Sequence, residues 1–554
     1  MRWWGWGPDD RPAPQLPAGA EHLLREELGA DDRRHPPVAL EEVRLPHPQL
    51  SARFVSRLAE LVGEENVRTD RLARVRHAAG RSYLDLVRLR SGDASRAPDA
   101  VVFPGCPREV AAVLAACDSE GVAVIPFGGG TSVVGGVEPL RGPFDAAVTL
   151  DLGRMNRLLE LDRMSLAAVL QPGLTGPRAE ALLASRGFTL GHFPQSFELA
   201  TIGGFVATRS AGQASTGYGR IDELVLGLRL AAPAGELVAK PFPASAAGPA
   251  LRELLVGSEG VLGVITEATL AVRPLPERRR YEGWSFRSFE EGREAFRWME
   301  QAGAAPDVAR LSDEEETRVS LALASSGAAP ERAGRAYLRL RGHEAGCLAI
   351  VGFEGEEGAV ERRRARARKI LRRAGGLALG RRPGRAWLRS RYSVPYLRDR
   401  LLERGVMVET LETATSWSRL AELHNAVREA LRESLARRGT PPVVMCHVSH
   451  LYRSGASLYF TVVARQEAGA ELEQWRAAKG AASEAILRHE GTITHHHAVG
   501  LDHLPWLRAE VGDLGLELLR AAKERLDPNG IMNPGKLLPE PHRPVRAGSS
   551  PARG

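Results

Sequence analysis

Between Ala97 and Pro276 the apolar residues fall into short runs separated by glycine and polar turns. Val101–Phe103 is too short for a helix and reads as a strand. Pro107 then opens a stretch in which Val110, Val113, Leu114 and Cys117 recur at helical spacing, so that one face is apolar. Gly121 closes that helix, and Val122–Ile125 forms the continuous apolar run of a buried strand. The alternation continues through "AAVTLDL", "LAAVLQPG", the helical "GPRAEALLASRG" and "LVLGLRLAAPAGELV", and closes on "LLVGSEGVLGVITEATLAVRPLP". Helices and longer strands mix from there to residue 500, and "WLRAEVGDLGLELLRAAKERLDPNG" returns to helix. Residues 1–96 are polar and proline-rich, with short helical patterns such as "PQLSARFVSRLAELVG". The pattern predicts an α+β chain. Its expected parts are a partly helical extension over 1–96, domains over 97–276 and 277–500, a helical segment over 501–540 that packs back on the first domain, and a disordered tail over 541–554.

Composition narrows the class without naming a function. The 554 residues suffice for two or more cores, and 43% hydrophobic with 26% charged residues is ordinary for a water-soluble enzyme. Cys106, Cys117, Cys347 and Cys446 are scattered with no CxxC pair, which fits a reducing cytoplasm better than a disulfide framework. No apolar run approaches the ~20 residues that span a bilayer. The N-terminus lacks an apolar signal region, and "SSPARG" is not a peroxisomal tripeptide. The expected location is cytoplasmic. The net charge of +7 comes almost wholly from arginine interleaved with acids, so nucleic acid is not an expected partner. The densest basic run, Glu361–Arg391, reads as a helix ended near Gly375, with attraction to an anionic lipid surface as the livelier reading.

The candidate chemistry lies in glycine-rich loops and one histidine run. "PFGGGTS" (Pro126, Phe127, Gly128, Gly129, Gly130, Thr131, Ser132) follows a strand, and glycines let backbone N–H groups approach an anion such as a pyrophosphate. It is not GxGxxG, which argues against a nicotinamide site. "GHFPQSFELATIGGFVATRSAG" and "GSEGVLGVIT" share its character. "GIMNPGKL" matches GxxxxGK, but Leu537 replaces the magnesium-binding hydroxyl and no strand precedes it, so an ATPase is rejected. In "TITHHHAVG", alternation along an extended segment would set His495 and His497 on one face and His496 on the other. Three adjacent histidines do not wrap one metal ion easily, which leaves proton transfer or an ordinary polar loop.

In this order and separation, these three loops resemble the FAD-binding domain of the vanillyl-alcohol-oxidase/p-cresol-methylhydroxylase flavoprotein family. The resemblance implies a two-subdomain FAD-binding domain of the p-cresol-methylhydroxylase type, followed by a cap-type substrate domain. Within the family the chain is most similar to the ether-lipid-forming branch, through "RWWGWG", "PFGGGTS", "TIGGFVATRSAG", "GSEGVLGVITEATLAVRPLPE", "YLRD", "GASLYF" and "THHHAVG". That implies an enzyme that exchanges the acyl group of acyl-dihydroxyacetone phosphate for a fatty alcohol, through an adduct at flavin N5 and without net redox. FAD is expected to be non-covalent, because the glycine loop carries Thr131 and no histidine.

Carried over by motif, the flavin segments fall on Pro126 to Ser132, on Gln195, Ser196, Phe197, Glu198, Leu199, Ala200 and Thr201, on Thr208, Arg209, Ser210 and Ala211, and on Glu259, Gly260, Val261, Leu262, Gly263, Val264 and Ile265. The catalytic tyrosine falls on Tyr459 with His495, His496 and His497, and the substrate arginines fall on Arg398 and Arg310. Read locally, Tyr459 is instead a core tyrosine, Arg310 an ion-pair partner of Asp313, Arg398 a partner of Asp399 or Glu403, and the Trp-rich N-terminus a plug. FAD-linked 2-hydroxy-acid dehydrogenases carry "GEHG" and "HxGDGNLH" where this chain has "HHHAVG" and "HVSHLYRSGASLY", so no metal is expected. The lipid substrates imply peripheral membrane contact, and a homodimer fits the resemblance. Such a dehydrogenase and a non-catalytic flavin- or lipid-binding protein stay open as alternatives.

Overall fold

The computed structural model describes residues 1–11, 14–30, 33–324 and 329–539; the expected tail over 541–554 lies outside the described residues. The first sheet comprises β1 (Val67–Arg68), β2 (Ala100–Val102), β3 (Val122–Phe127) and β4 (Ala146–Asp151), in the order β1-β2-β4-β3. Strands β2, β4 and β3 are parallel, which requires a crossover, and the helix Pro107–Glu120 supplies it. Pro107 opens that helix and Gly121 ends it at φ +70°, a conformation that glycine adopts without strain. A parallel strand is covered on both faces, and β3 is buried along nearly its whole length.

The second sheet is antiparallel: β5 (Leu158–Asp162), β6 (Ala167–Leu170), β10 (Val264–Ala271), β8 (Val225–Ala232) and β9 (Gly235–Ala239), in that spatial order. A small ribbon pairs β7 (Phe188–Thr189) with β11 (Arg273–Pro274). The third sheet has seven antiparallel strands, in the order β15-β12-β14-β13-β17-β18-β16. These are β12 (Arg278–Phe286), β13 (Val308–Ser312), β14 (Cys347–Gly355), β15 (Leu377–Gly380), β16 (Val406–Ser416), β17 (Val443–Leu451) and β18 (Gly455–Arg465). The helices Leu420–Arg437 and Glu471–Arg488 lay apolar faces on it, joining Trp284, Phe460 and Trp475 in one core. The basic run forms the helix Glu357–Arg373, stopped before Gly375.

The chain then returns to the first sheet. The helix Leu504–Leu526 is kinked at Gly512, and Val124 of β3 donates to Ile531 while Asn533 donates back to Val124. Lys536 is buried and donates to the carbonyls of Glu138 and Pro534, so the lysine of "NPGK" is spent inside the fold.

Asp313 closes the start of the helix Glu314–Leu323, accepting from Glu316 N at 2.7 Å, and its other oxygen lies 3.3 Å from His424. Loss of such an N-cap costs roughly 0.5–2 kcal/mol. Asp313→Ala should therefore lower the thermal midpoint and leave the far-ultraviolet circular dichroism of the folded protein unchanged. An unaltered midpoint would show that the cap carries no weight.

Candidate active site

Four loops predicted to hold a flavin meet around the end of β3. None of the backbone N–H groups from Gly128 to Ser132 finds an acceptor among the described residues. That leaves a row of amides at the carboxyl end of a parallel strand, where α/β sheets bind ligands. The glycines are needed for close packing: a Cβ on Gly128 would lie 2.4 Å from Thr201 Oγ1, and one on Gly129 would lie 2.0 Å from the Leu199 carbonyl. The loop is thus seated on the second segment, Gln195–Thr201. In the third segment Ser210 Oγ meets His192 Nε2 at 3.1 Å, and His192 Nδ1 is buried with no partner among the described residues. Just before the fourth segment Ser258 Oγ, and beside it the side-chain oxygen of Asn533, are likewise buried with no partner among the described residues. Orphaned amides and polar side chains of this kind fit a cofactor with a pyrophosphate and a ring rich in N–H and carbonyl groups.

Glu259 belongs to that fourth segment and is buried. It accepts from Val499 N at 2.8 Å and Gly500 N at 2.7 Å, and burial pushes its carboxyl up to about 7. A cavity of about 460 Å³ opens beside it. Thr208, Arg209, Gly257 and Glu259 line one side, and Tyr452, Thr494, His495 and His496 the other. The histidine run and two of the segments predicted to hold the flavin therefore share one cleft.

The opposite wall is built by strand register. Ser312 pairs with His447, His447 with Tyr459, and Tyr459 with Glu412, so four residues of β13, β17, β18 and β16 stand in one row on one face. The His447 and Tyr459 rings stack at 4.9 Å. Glu412 is fully buried and accepts from three successive backbone amides: His495, His496 at 3.2 Å and His497 at 2.8 Å. Thr494 Oγ1 adds a fourth bond at 2.7 Å. This corrects the extended reading of the run. Residues 494–500 form bends around a carboxylate, so the rings do not alternate between two faces.

The rings instead cluster. His496 stacks on Tyr459 at 5.9 Å, His497 meets it edge-on at 5.6 Å, and His450 stacks on His495 at 4.9 Å. Tyr452 Oη lies 2.5 Å from His495 Nε2. Burial lowers all four histidines, His497 to about 3, so the rings are neutral at neutral pH. Burial pushes the Tyr459 phenol up to about 12, so it keeps its proton. Burial also works against the charge on Glu412, but the positive charge that the facing histidines take up as the pH falls, together with the Thr494 hydroxyl, holds the carboxyl well below the usual range. One ring nitrogen from each of His450, His495 and His496 lies within 4.8 Å of the others, a spacing that a metal ion would accept. Both nitrogens of His495 are already engaged, however, one by Tyr452 and one by His496 Nδ1 at 2.9 Å.

Arg310 parts company with its local reading, and Arg398 with one half of its own, for its charge still favours the Asp399 carboxylate. Arg310 does not pair with Asp313. It donates to Glu316 Oε1 at 2.5 Å and to His447 Nε2 at 3.0 Å, and His447 Nδ1 lies 3.1 Å from the other Glu316 oxygen. That closed triangle places the His447 proton on Nδ1 and fixes the ring on which Tyr459 stacks. Burial opposes the charge on Glu316, but Arg310 and His447 hold it at about 2. Arg398 is buried on the helix Val394–Glu403, and its Nε has no hydrogen-bond partner among the described residues. Glu403 pairs with Arg400 instead. Glu412, Tyr452 and His192 escaped the sequence reading. For Glu412 a signal existed, a buried-type strand "VMVETLETA" interrupted by acids.

Comparison with known proteins shows two flavoprotein domains along the chain. The model of the FAD binding domain matches residues 98–239, and that of the C-terminal domain of FAD linked oxidases matches 275–537. An alkyldihydroxyacetonephosphate synthase of Trypanosoma brucei brucei is 36% identical over 508 residues, covering 90% of this chain and 82% of that protein. One from Dictyostelium discoideum is 34% identical, covering 91% and 84%. A solved structure of an alkyldihydroxyacetonephosphate synthase superposes with a TM-score of 0.85 at 30% identity, covering 97% of this chain and 99% of that one.

A carboxyl depressed in the folded state adds stability above its unfolded pKa of ~4.3 and loses it as pH falls below that value. Glu412→Gln has no such titration. Wild type should melt higher than the variant at pH 7, and the two midpoints should converge as the pH drops below about 4. Equal midpoints at pH 7 would remove Glu412 as the anchor of the histidine turn.

Proposed function

The chain belongs to the alkyldihydroxyacetonephosphate synthase family, and we propose that its histidine turn and Tyr459 move the protons of the exchange while Arg398 holds the substrate phosphate. The enzyme is FAD-dependent and makes an ether-lipid precursor. The acyl group of acyl-dihydroxyacetone phosphate leaves as a fatty acid, and a long-chain alcohol takes its place through a new carbon–oxygen bond. The 2-hydroxy-acid dehydrogenase and the non-catalytic binding protein are not favoured by the relatives found.

FAD would be held by the Gly128–Ser132 amides and would supply the redox-active ring, while the exchange as a whole consumes no electron acceptor. The protein's own work is proton transfer and placement. A proton taken from the carbon that changes its substituent must be returned to that carbon, and the proton of the attacking alcohol passes to the departing carboxylate. The neutral rings of His496 and His497 carry open lone pairs for that purpose, and the protonated Tyr459 between them can return a proton to the leaving group. Arg310 acts at one remove, locking His447 and with it the Tyr459 ring. A planar guanidinium suits a phosphate ester, and the unpaired Nε of Arg398 is what an open phosphate site requires. The carrying observation is the convergence of three backbone amides on Glu412, which sets the rings against Tyr459 at the mouth of the flavin cleft. With both His495 nitrogens engaged within the cluster, the site is proposed to work without a metal.

Purified protein should be yellow, and with acyl-dihydroxyacetone phosphate and labelled hexadecanol it should form the labelled ether. Tyr459→Phe should keep FAD and lower ether formation by roughly 10²–10⁴-fold, the usual weight of a general acid–base group. Full activity in that variant, or loss on chelation of stoichiometric zinc, would overturn the assignment.

The substrates are lipids, yet among the described residues no helix is long and apolar enough to cross a membrane. The helix Arg381–Ser390 exposes Arg381, Arg382, Arg385 and Arg389 together with Leu388. Beside it opens a cavity of about 440 Å³ lined by Phe193, Leu275 and Leu388. We propose peripheral contact with an anionic lipid surface at this face. Flotation should show binding to anionic vesicles that weakens as salt rises, and equal binding to neutral vesicles would contradict it.

A further inference from the structure

The Trp-rich N-terminus has no part in the chemistry above, yet it is packed against the helix that carries Arg398. Arg2, Trp3, Gly5, Trp6 and Gly7 are buried. Trp6 N donates to Asp399 Oδ2 at 2.9 Å, and Arg2 Nη1 lies 3.7 Å from the same oxygen. The glycines are shaped to this helix. A Cβ on Gly5 would fall 2.4 Å from Asp399 Oδ2. Gly7, at φ +93°, faces the Tyr396 ring, which its Cβ would meet at 2.5 Å. Arg11 continues the contact, lying over the Tyr396 ring at 4.4 Å and donating to its hydroxyl at 3.0 Å. "RWWGWG" and "YLRD" are thus complementary surfaces, and Arg398 sits between the two gripped residues.

The other side of the segment is tied to the cofactor loop. Arg81 is 1% exposed and donates to the carbonyls of Arg2 at 2.7 Å and Gly5 at 3.1 Å. Its own backbone N–H donates to Ser132 O at 2.6 Å, at the end of the amide row that fits the pyrophosphate. Trp3 is packed among Val43, Val75, Ala79 and Leu89 on that same side.

We infer that residues 2–7 form a positioning strap that clamps the Val394–Glu403 helix to the flavin loop through Asp399 and Arg81, and so aims Arg398 at the substrate phosphate. The inference rests on the reading of Arg398 as the phosphate residue. A helix held at one register presents the guanidinium in one direction. A helix pushed off the strap keeps the arginine but loses its aim, and small misplacements of a binding group are costly.

The test uses the FAD-loaded full chain and steady-state kinetics with both substrates. Gly5→Ala inserts a methyl where Asp399 stands. It should raise the KM for acyl-dihydroxyacetone phosphate about tenfold, with kcat, the KM for hexadecanol and FAD content close to wild type. Arg2→Met leaves room in the strap but removes its cation, and should move the same KM in the same direction. If Gly5→Ala does not fold, Arg2→Met decides. A lower thermal midpoint with both KM values unchanged would reduce the strap to a structural plug and sink the inference. Arg398→Lys is the control. A raised acyl-donor KM there, with Gly5→Ala and Arg2→Met unchanged, removes the strap alone. An unchanged KM there removes the phosphate reading and the strap together.

Discussion

A fully buried carboxylate that accepts three consecutive backbone N–H groups gives this site its shape. Glu412 has no solvent to hydrate it, so its charge survives only because the His495–His497 turn wraps around it. The dependence is mutual. Three amides in a row cannot all meet one acceptor from a regular strand, so the turn exists because the carboxylate is there. The imidazole rings leave that turn toward Tyr459, which strand register has already set beside Glu412.

Glu259 does the same at the other end of the segment, taking the amides of Val499 and Gly500. It comes from a flavin loop, whereas Glu412 comes from the seven-stranded sheet. A stretch of seven residues, 494–500, is therefore stitched to both halves of the molecule by buried carboxylates. The histidines do not belong to either half, and their distance from the cofactor loop is set by two short hydrogen-bonded turns. The N-terminal segment makes a second seam, with Asp399 on one side and Arg81 on the other. Both seams put a carboxylate in the interior and hold it with main-chain amides, joined by the Thr494 hydroxyl at Glu412 and by the Arg2 guanidinium at Asp399.

What was legible in the sequence was local. The helix from Pro107 to Gly121 and the buried strand after it follow from the spacing of apolar residues and two terminators, all within one window. The glycine loops announced an anion because their chemistry is main-chain chemistry. The histidine run suggested proton transfer as one reading and gave no sign of its own shape. The residue that bends it lies 83 positions away from His495, and nothing in the run itself encodes that contact. Arg310 shows the same limit. Its near neighbour Asp313 looked like the partner, but Asp313 is drawn off to cap a helix, and Arg310 turns to Glu316 and to His447, 137 residues distant. Strand pairing decides such contacts, and pairing between distant strands has no signature in a short window.

The account stands or falls on where the isoalloxazine ring lies. A crystal structure of the FAD-bound enzyme with dihydroxyacetone phosphate would locate it. The expected result has the pyrophosphate on the Gly128–Ser132 amides, the ring in contact with the His495–His497 turn and Tyr459, and the substrate phosphate on Arg398. A ring bound away from that turn, with Tyr459 and the histidines in contact with neither flavin nor substrate, would contradict it.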